Sequence, residues 1–271
     1  MPVIARIRTN EKAKGFYEVS VTLRNGAEQT LTVHEDLLVQ DELHKGKELS
    51  DAQYTKLEKE AQGIRAYHAG IRYLSYRMRS IHEMRVYLQR KEYEENQIIY
   101  AINRFKKEKL LDDKAFAASF TRTRIELSTK GPQMIYRELL QAGVAQDIAA
   151  ETESLFPFEL QLAHARKYLA KQTASVKNKK SMVESRQVLA RLLMQRGYAH
   201  DISRQVLDEL SDFLKENEKN ALTYQAEKAM QKYKKFSGSE FSRKVKAYLF
   251  RKGFPIDEIT GLLEERLSSN Q

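Results

Sequence analysis

A short turn pattern that occurs four times is the feature of this sequence that most constrains its fold. The copies are Lys91-Glu92-Tyr93, Ala142-Gly143-Val144, Arg196-Gly197-Tyr198 and Lys252-Gly253-Phe254. Each has a leucine five positions before its final hydrophobic residue, and the central positions follow one another at intervals of 51, 54 and 56 residues. Glycine just beyond a helix adopts the left-handed conformation, and the hydrophobic residue after it packs against the last turn. The pattern therefore predicts four equivalent helix ends in a tandem repeat, with the end at Glu92 strained, solvated or differently shaped.

Helix beginnings recur at matching places in the same repeats. Ser80 and Glu83, like Ser181 and Glu184, have the spacing of a capping box, in which each side chain bonds to the backbone amide of the other residue. In the second copy Pro132 stands near this place, and proline suits the first turn of a helix. We therefore expect the second helix of these repeats to begin at these positions.

The first 36 residues differ from the rest of the chain. Hydrophobic and polar residues alternate in 17–23 and again in 31–33, which is typical of half-buried strands. Asn25-Gly26 between them is a strong hairpin signal, and a sheet of two or three strands must pack on other parts of the chain to be stable. With a loop one or two residues longer than the minimal two, the predicted partners are Val21 with Leu31 and Val19 with Val33.

Beyond residue 62 the sequence shows no strand pattern, and Ser50 is a suitable N-cap for a connecting helix that begins at Asp51. The predicted fold is mainly α: tandem three-helix repeats in a curved elongated array, with a small N-terminal β-hairpin region. The predicted domains are the hairpin region 1–50, a connector helix with repeat 1 at 51–110, repeat 2 at 111–157, repeat 3 at 158–217 and repeat 4 at 218–271.

Charge and cysteine content narrow the classes of function. The chain has 47 basic and 37 acidic residues, a net charge of +10, and no cysteine. This balance favours an anionic partner, either nucleic acid, an acidic protein or a membrane surface, although a solvated helical surface of mixed charge accounts for it equally well. Disulfides, thiolate metal sites and cysteine catalysis are excluded. No apolar run approaches the roughly 18 residues of a membrane span, and a cytoplasmic protein is expected.

No motif of nucleotide, metal or catalytic chemistry is visible. The six histidines are scattered, so neither a cofactor nor a metal site is predicted. Asp112-Asp113 could form a two-carboxylate site of a hydrolase, but the favoured interpretation is that one of them caps the helix that follows. We therefore expect no enzyme activity.

Basic residues are mixed with aromatic ones, or clustered, in four stretches. These are 72–79, 104–109, 177–180 and 228–252. Such stretches can hold phosphates and stack bases. Each tyrosine taken alone is better explained as a core or edge residue, whereas the cationic surface as a whole favours binding to something anionic.

Two longer strings resemble the RecX family, regulators of the RecA recombinase. They run from Tyr73 to Arg85 and from Leu110 to Ala117, with further matches at Phe120, Arg124, Gly131, Ile135, Glu138-Leu139 and Gly143-Val144. Glu92, in place of glycine, and the long segment before Ser181 depart from the family pattern. The resemblance implies a non-enzymatic helical array that lies along or caps the RecA filament on single-stranded DNA. Such proteins limit ATP hydrolysis and strand exchange in the regulation of DNA repair, recombination and the SOS response.

Five arginines are predicted to contact the RecA filament or DNA as donors to carboxylate or phosphate: Arg72, Arg77, Arg79, Arg85 and Arg124. The alternative for each is internal pairing with Glu83, Asp112 or Asp113.

A rival hypothesis is a direct DNA-binding protein, since three-helix units with a glycine turn are similar in outline to helix-turn-helix modules. No membrane partner is expected, and the protein is expected to be a monomer.

Overall fold

The computed structural model describes residues 1–11, 14–177 and 179–268, which form a small sheet followed by helices. The strands are β1 Val3–Thr9, β2 Phe16–Thr22 and β3 Glu28–His34. The helices are α1 Glu35–Gln40, α2 Asp51–Leu74, α3 Ile81–Arg90, α4 Glu95–Lys107, α5 Asp113–Leu127, α6 Pro132–Gln141, α7 Gln146–Glu151, α8 Phe158–Gln172, α9 Met182–Gln195, α10 His200–Glu209, α11 Ser211–Tyr233, α12 Gly238–Arg251 and α13 Ile256–Ser268. The prediction of a mainly α chain with an N-terminal sheet is confirmed.

The chain divides into two compact units, each with its own packing. The first comprises Met1–Ser119 and Leu139–Ile148, and the second comprises Phe120–Glu138 and Ala149–Gln271. In the first unit the sheet and helices α2 to α4 share one hydrophobic core. In the second unit, helices α8 to α10 surround one core and helices α11 to α13 surround another. The helices therefore follow the sheet as four successive groups of three: α2–α4, α5–α7, α8–α10 and α11–α13.

The hairpin loop between β2 and β3 has three residues, one more than the minimal loop. The Leu23 amide donates to the Ala27 carbonyl at 2.8 Å, and the Ala27 amide donates to the Asn25 side chain at 3.1 Å. Gly26 has a φ of +80°, the left-handed conformation that such a loop requires. The predicted lengthening of the loop is confirmed.

The pairing of the two strands differs from the prediction. Val19 lies opposite Leu31 and Val21 lies opposite Gln29, so the expected partners were wrong by two positions. The bend starts at Leu23, and this fixes the register. A shift of two residues keeps every side chain on the same face of a sheet. Val19, Val21, Leu31 and Val33 are accordingly all buried, with at most 6% of their surface exposed.

Helix α2 is longer than expected because the predicted connector and the first helix of the first repeat are continuous. Ser50 caps it as predicted, accepting a hydrogen bond from the Gln53 amide in a full capping box. Gly63 lies inside the helix and does not end it. A Cβ at that position would lie 2.2 Å from the Tyr100 ring, so glycine there allows α4 to pack closely against α2.

All four marker turns end a helix in the same way, so the predicted equivalence is confirmed, and the end at Glu92 is not differently shaped. The φ angles of Glu92, Gly143, Gly197 and Gly253 are +61°, +77°, +89° and +84°. The next residue in each turn donates its amide to the carbonyl five positions back: Tyr93 to Leu88 at 3.3 Å, Val144 to Leu139 at 3.1 Å, Tyr198 to Leu193 at 3.0 Å and Phe254 to Leu249 at 3.4 Å. This is the Schellman arrangement, and it defines helices α3, α6, α9 and α12 as equivalent.

Three of these turns lie against the beginning of the equivalent helix in the preceding group. The Ser80 hydroxyl donates to the Ala142 carbonyl at 2.5 Å, and the Ser181 hydroxyl donates to the Lys252 carbonyl at 2.6 Å. Between the second and third groups the Gly131 amide donates to the Arg196 carbonyl at 2.8 Å. We call each of these contacts a joint, and all three lie within one unit or the other.

At every joint, the first residue of the helix that begins there leaves no backbone amide without a partner. The Ile81 amide donates to the Asp113 carboxylate at 2.9 Å, and the Met182 amide donates to the Glu218 carboxylate at 2.8 Å. Both carboxylates come from the first helix of the following group. The second group has Pro132 at this position, which carries no amide hydrogen. The predicted helix beginnings are confirmed, and each uses its neighbour or proline to avoid an unpaired donor.

Glu92 is the marker residue that carries a side chain in the left-handed conformation. That conformation costs a non-glycine residue about 1–2 kcal/mol, and the greater flexibility of glycine in the unfolded chain cancels part of the gain. We expect Glu92→Gly to raise the free energy of unfolding by about 0.5–1 kcal/mol, measured by urea titration. Glu92→Ala keeps the Cβ and should change it by less than about 0.5 kcal/mol. An equal gain in both variants would contradict this explanation.

Candidate anion-binding surfaces

The loop between α2 and α3 displays a basic and aromatic surface in the first unit. Arg72, on the last turn of α2, is exposed, and Tyr76 is 83% exposed. Arg77 is engaged internally, since its guanidinium pairs with the Glu83 carboxylate at 2.7 Å and donates to the Met78 carbonyl at 2.9 Å. Arg72 and Tyr76 are therefore the more available of these side chains.

Arg79 is held by aromatic rings. Its guanidinium carbon lies 3.9 Å from the centre of the Tyr73 ring, on which it packs as a cation–π contact. Tyr73 in turn stacks on Tyr87, with ring centres 4.0 Å apart and planes within 5°. This stack joins α2 to α3, which gives Tyr73 the structural role favoured from its sequence.

The two remaining predicted arginines are also paired with carboxylates. Arg85 forms an ion pair with Glu95 in the first unit. Arg124 belongs to the second unit, where its Nε donates to Glu138 at 2.7 Å. Burial alone would raise the pKa of Glu138, but hydrogen bonds from Lys130 and Arg124 outweigh it and lower that pKa. Of the five arginines, Arg72 alone lacks an ion pair or ring contact within the described part of the chain.

Asp112 and Asp113 both act at helix beginnings. The Asp112 carboxylate accepts from the amides of Lys114 at 2.8 Å and Ala115 at 3.1 Å, which caps α5. Asp113 accepts from the Ile81 amide at the joint described above. The capping interpretation is confirmed. The arginines pair with Glu83, Glu95 and Glu138 instead of with these aspartates.

The largest concentration of positive charge lies in residues 228–252, at the end of α11 and along α12. Its basic residues are Lys228, Lys232, Lys234, Lys235, Arg243, Lys244, Lys246, Arg251 and Lys252. Glu240 is the one acidic residue in that stretch, so its net charge is +8 out of +10 for the whole chain. We call this stretch the lysine–aromatic surface.

Aromatic rings support several of these lysines. Lys244 lies 4.2 Å from the centre of the Phe236 ring, and Lys232 lies 5.2 Å from the centre of the Tyr248 ring. Long lysine stems can cover such rings while the ammonium group stays in water. Lys234 and Arg243 are exposed and take part in no ion pair among the described residues. The surface therefore offers free donors to phosphate or carboxylate groups.

None of the five arginines selected from the sequence belongs to the lysine–aromatic surface. The sequence nevertheless shows that this stretch is rich in basic residues. The five arginines stand out in the sequence by their cationic register, which does not show whether a side chain is paired in the fold. The pairing of Arg85 with Glu95 joins two different helices, so no helical spacing signals it. Among the helices that the structure describes, none is both long enough and apolar enough to span a lipid bilayer.

Family models match three parts of the chain. The model described as "RecX, first three-helix domain" matches residues 66–105, the second three-helix domain matches 112–152, and the third matches 216–263. Helices α8 to α10 lie between the second and third matches. The lysine–aromatic surface thus falls within the match to the third domain.

Similar proteins match over nearly the full length. A "Regulatory protein RecX" of Oceanobacillus iheyensis is 36% identical, with 98% of this chain and 99% of that protein covered. One of Bacillus cytotoxicus is 31% identical over 97% of this chain and 98% of that protein. A "Crystal structure of regulatory protein RecX" has a TM-score of 0.63 at 26% identity, covering 77% of this chain and 100% of the other.

Proposed function

The chain belongs to the RecX family of regulatory proteins, and we propose that it binds the RecA recombinase filament and restrains its ATP hydrolysis and strand exchange. The observation that carries the proposal is the lysine–aromatic surface, with a net charge of +8 and free exposed donors. A protein filament on DNA presents carboxylates and phosphates, and both are acceptors for such donors. No cofactor is needed for this role, and it takes place in the cytoplasm.

The tandem groups suit a partner that is itself repetitive. In the proposal each three-helix group is one module, with boundaries near residues 110, 157 and 217, and the protein touches two or more protomers of the filament. Several weak contacts on linked modules give a much tighter overall attachment than any one of them. Restraint of the filament then follows because protomers that are held by one chain cannot rearrange independently.

Arg72 is the strongest contact among the five arginines proposed from the sequence. Arg77, Arg85 and Arg124 would have to give up or share a carboxylate before they could bind a partner. Arg79 would have to leave the Tyr73 ring or share its guanidinium between the ring and the partner. Such exchanges lower the net gain from a contact. Arg72 and the exposed Tyr76 carry no such cost.

Co-sedimentation with filaments tests the proposal directly. Filaments of RecA on single-stranded DNA, held by a non-hydrolysable ATP analogue, should pellet the protein, and RecA ATPase activity should fall as the protein is added. A protein that stays in the supernatant and leaves ATPase activity unchanged would contradict the proposal. Equal affinity for the same DNA without RecA would favour direct DNA binding instead.

The double change Arg72→Glu with Tyr76→Ala should weaken inhibition of the RecA ATPase. Exposed arginine and tyrosine side chains at an interface often contribute more than about 1 kcal/mol each, so the concentration for half-inhibition should rise at least about fivefold. Neither side chain has a partner among the described residues whose loss would unfold the protein. Lys59→Glu, on the exposed face of the same helix, is the matched control and should inhibit like the unchanged protein. Full inhibition by the double variant would remove this loop from the interface.

A further inference from the structure

Three potential metal ligands converge in the first unit, where the end of β3 and the start of α1 meet α2. We infer that His34, Asp36 and His68 form a binding site for a divalent transition-metal cation of the Zn²⁺ class. His34 is the N-cap of α1, Asp36 lies in the first turn of that helix, and His68 lies on α2. None of the three residues belongs to either basic surface, and the inference does not depend on the proposed function.

The spacing of the donor atoms suits a small cation. Asp36 Oδ2 lies 3.2 Å from His34 Nδ1 and 3.9 Å from His68 Nε2, and one ligand atom of each residue lies within 4.8 Å of the other two. Zinc bonds of about 2.0–2.2 Å in tetrahedral geometry place neighbouring ligand atoms about 3.4 Å apart. The three donor atoms are therefore close enough to share one ion once the side chains reorient.

His68 Nε2 has no other partner. The atom is inaccessible to solvent and makes no hydrogen bond within the described part of the chain. A buried polar atom left unpaired costs about 1–3 kcal/mol, and a bound cation would remove that cost.

Closing on an ion requires a defined rearrangement. The two imidazole rings lie face to face, with centres 3.6 Å apart and planes at 30°, and His34 Nδ1 accepts a hydrogen bond from the Asp36 amide at 3.2 Å. Binding would draw the rings apart around the ion and replace that amide as the partner of His34. Water would fill the fourth position. Imidazole and carboxylate ligands together suit Zn²⁺ and its spectroscopic substitute Co²⁺.

Metal titration of the full chain without an affinity tag tests the inference. After treatment with a chelator, the protein should bind one equivalent of Zn²⁺ or Co²⁺ by calorimetry, and Co²⁺ should give visible absorption bands. At a free Zn²⁺ concentration about one hundred times the dissociation constant, the unfolding equilibrium should shift about 100-fold towards the folded state. Wild-type protein that takes up neither metal overturns the inference, whatever the variants do.

Two variants and a matched control locate the site. Asp36→Asn and His68→Gln should each weaken Co²⁺ binding at least about tenfold, as loss of a ligand does in other metal sites. His164 is the control, because its Nδ1 is also buried and makes no hydrogen bond to any described residue, and burial lowers the pKa of His164. It belongs to no cluster of three possible ligands among the described residues, so His164→Gln should bind Co²⁺ like the wild type. Unchanged binding by a folded Asp36→Asn or His68→Gln protein would overturn the inference.

Discussion

Gly197→Ala is expected to lower the free energy of unfolding of the second unit by about 2–5 kcal/mol. Gly197 has a φ of +89°, where an alanine costs about 1–2 kcal/mol. A Cβ there would also lie 2.5 Å from the backbone nitrogen of Met134, and relieving such overpacking typically costs about 1–3 kcal/mol more. The joint between the second and third groups would have to open. Urea titration followed by circular dichroism measures the loss.

Gly238→Ala separates the two causes. Gly238 lies in the same unit with a φ of +56°, but a Cβ there would meet nothing within 4 Å. It should therefore lose only the conformational part, about 1–2 kcal/mol. If Gly197→Ala and Gly238→Ala were equally destabilising, the close approach at the joint would have no energetic importance.

Lys234→Glu combined with Arg243→Glu is expected to raise the concentration for half-inhibition of the RecA ATPase more than about tenfold. The two changes remove half of the +8 net charge of the lysine–aromatic surface. Both side chains are exposed without an ion pair among the described residues, so the fold should be unaffected. Carboxylates at these positions would repel the anionic groups that the surface is proposed to meet.

A matched pair of reversals elsewhere controls for net charge. Lys59→Glu with Arg204→Glu changes the charge of the chain by the same amount at exposed positions outside the lysine–aromatic surface. This control should inhibit within about twofold of the wild type. Equal loss in both double variants would mean that overall charge, and not this surface, governs binding. Undiminished inhibition by Lys234→Glu with Arg243→Glu would exclude the surface from the interface.

Local signals in the sequence were sufficient for the repeated helix boundaries. A left-handed residue after a helix and a serine before one act on the backbone within a few residues, so Gly143 and Ser80 could be interpreted without knowing the fold. Glu92 adopts the same geometry despite its side chain, because the hydrogen bonds of the turn and the packing of Tyr93 enforce it. The capping role of Asp112 was predictable for the same reason.

Contacts between distant elements could not be predicted in this way. The strand register depended on where the chain bends at Leu23, and alternation alone does not show a shift of two residues. The partners of Arg85 and Arg124 lie on other helices. His34 and His68 are far apart in sequence and meet only because α2 packs on the sheet, so the spacing of the histidines gives no sign of their contact.

Because each joint pairs particular residues of two neighbouring groups, the sequence also determines the order in which the three-helix groups follow one another. A helix that begins with Ser181 needs a carboxylate such as Glu218 from the group that follows, whereas one that begins with Pro132 asks for none. Shuffled or duplicated groups would therefore meet neighbours with mismatched ends. Relatives of this protein should gain or lose whole groups only where both ends of the new junction are compatible.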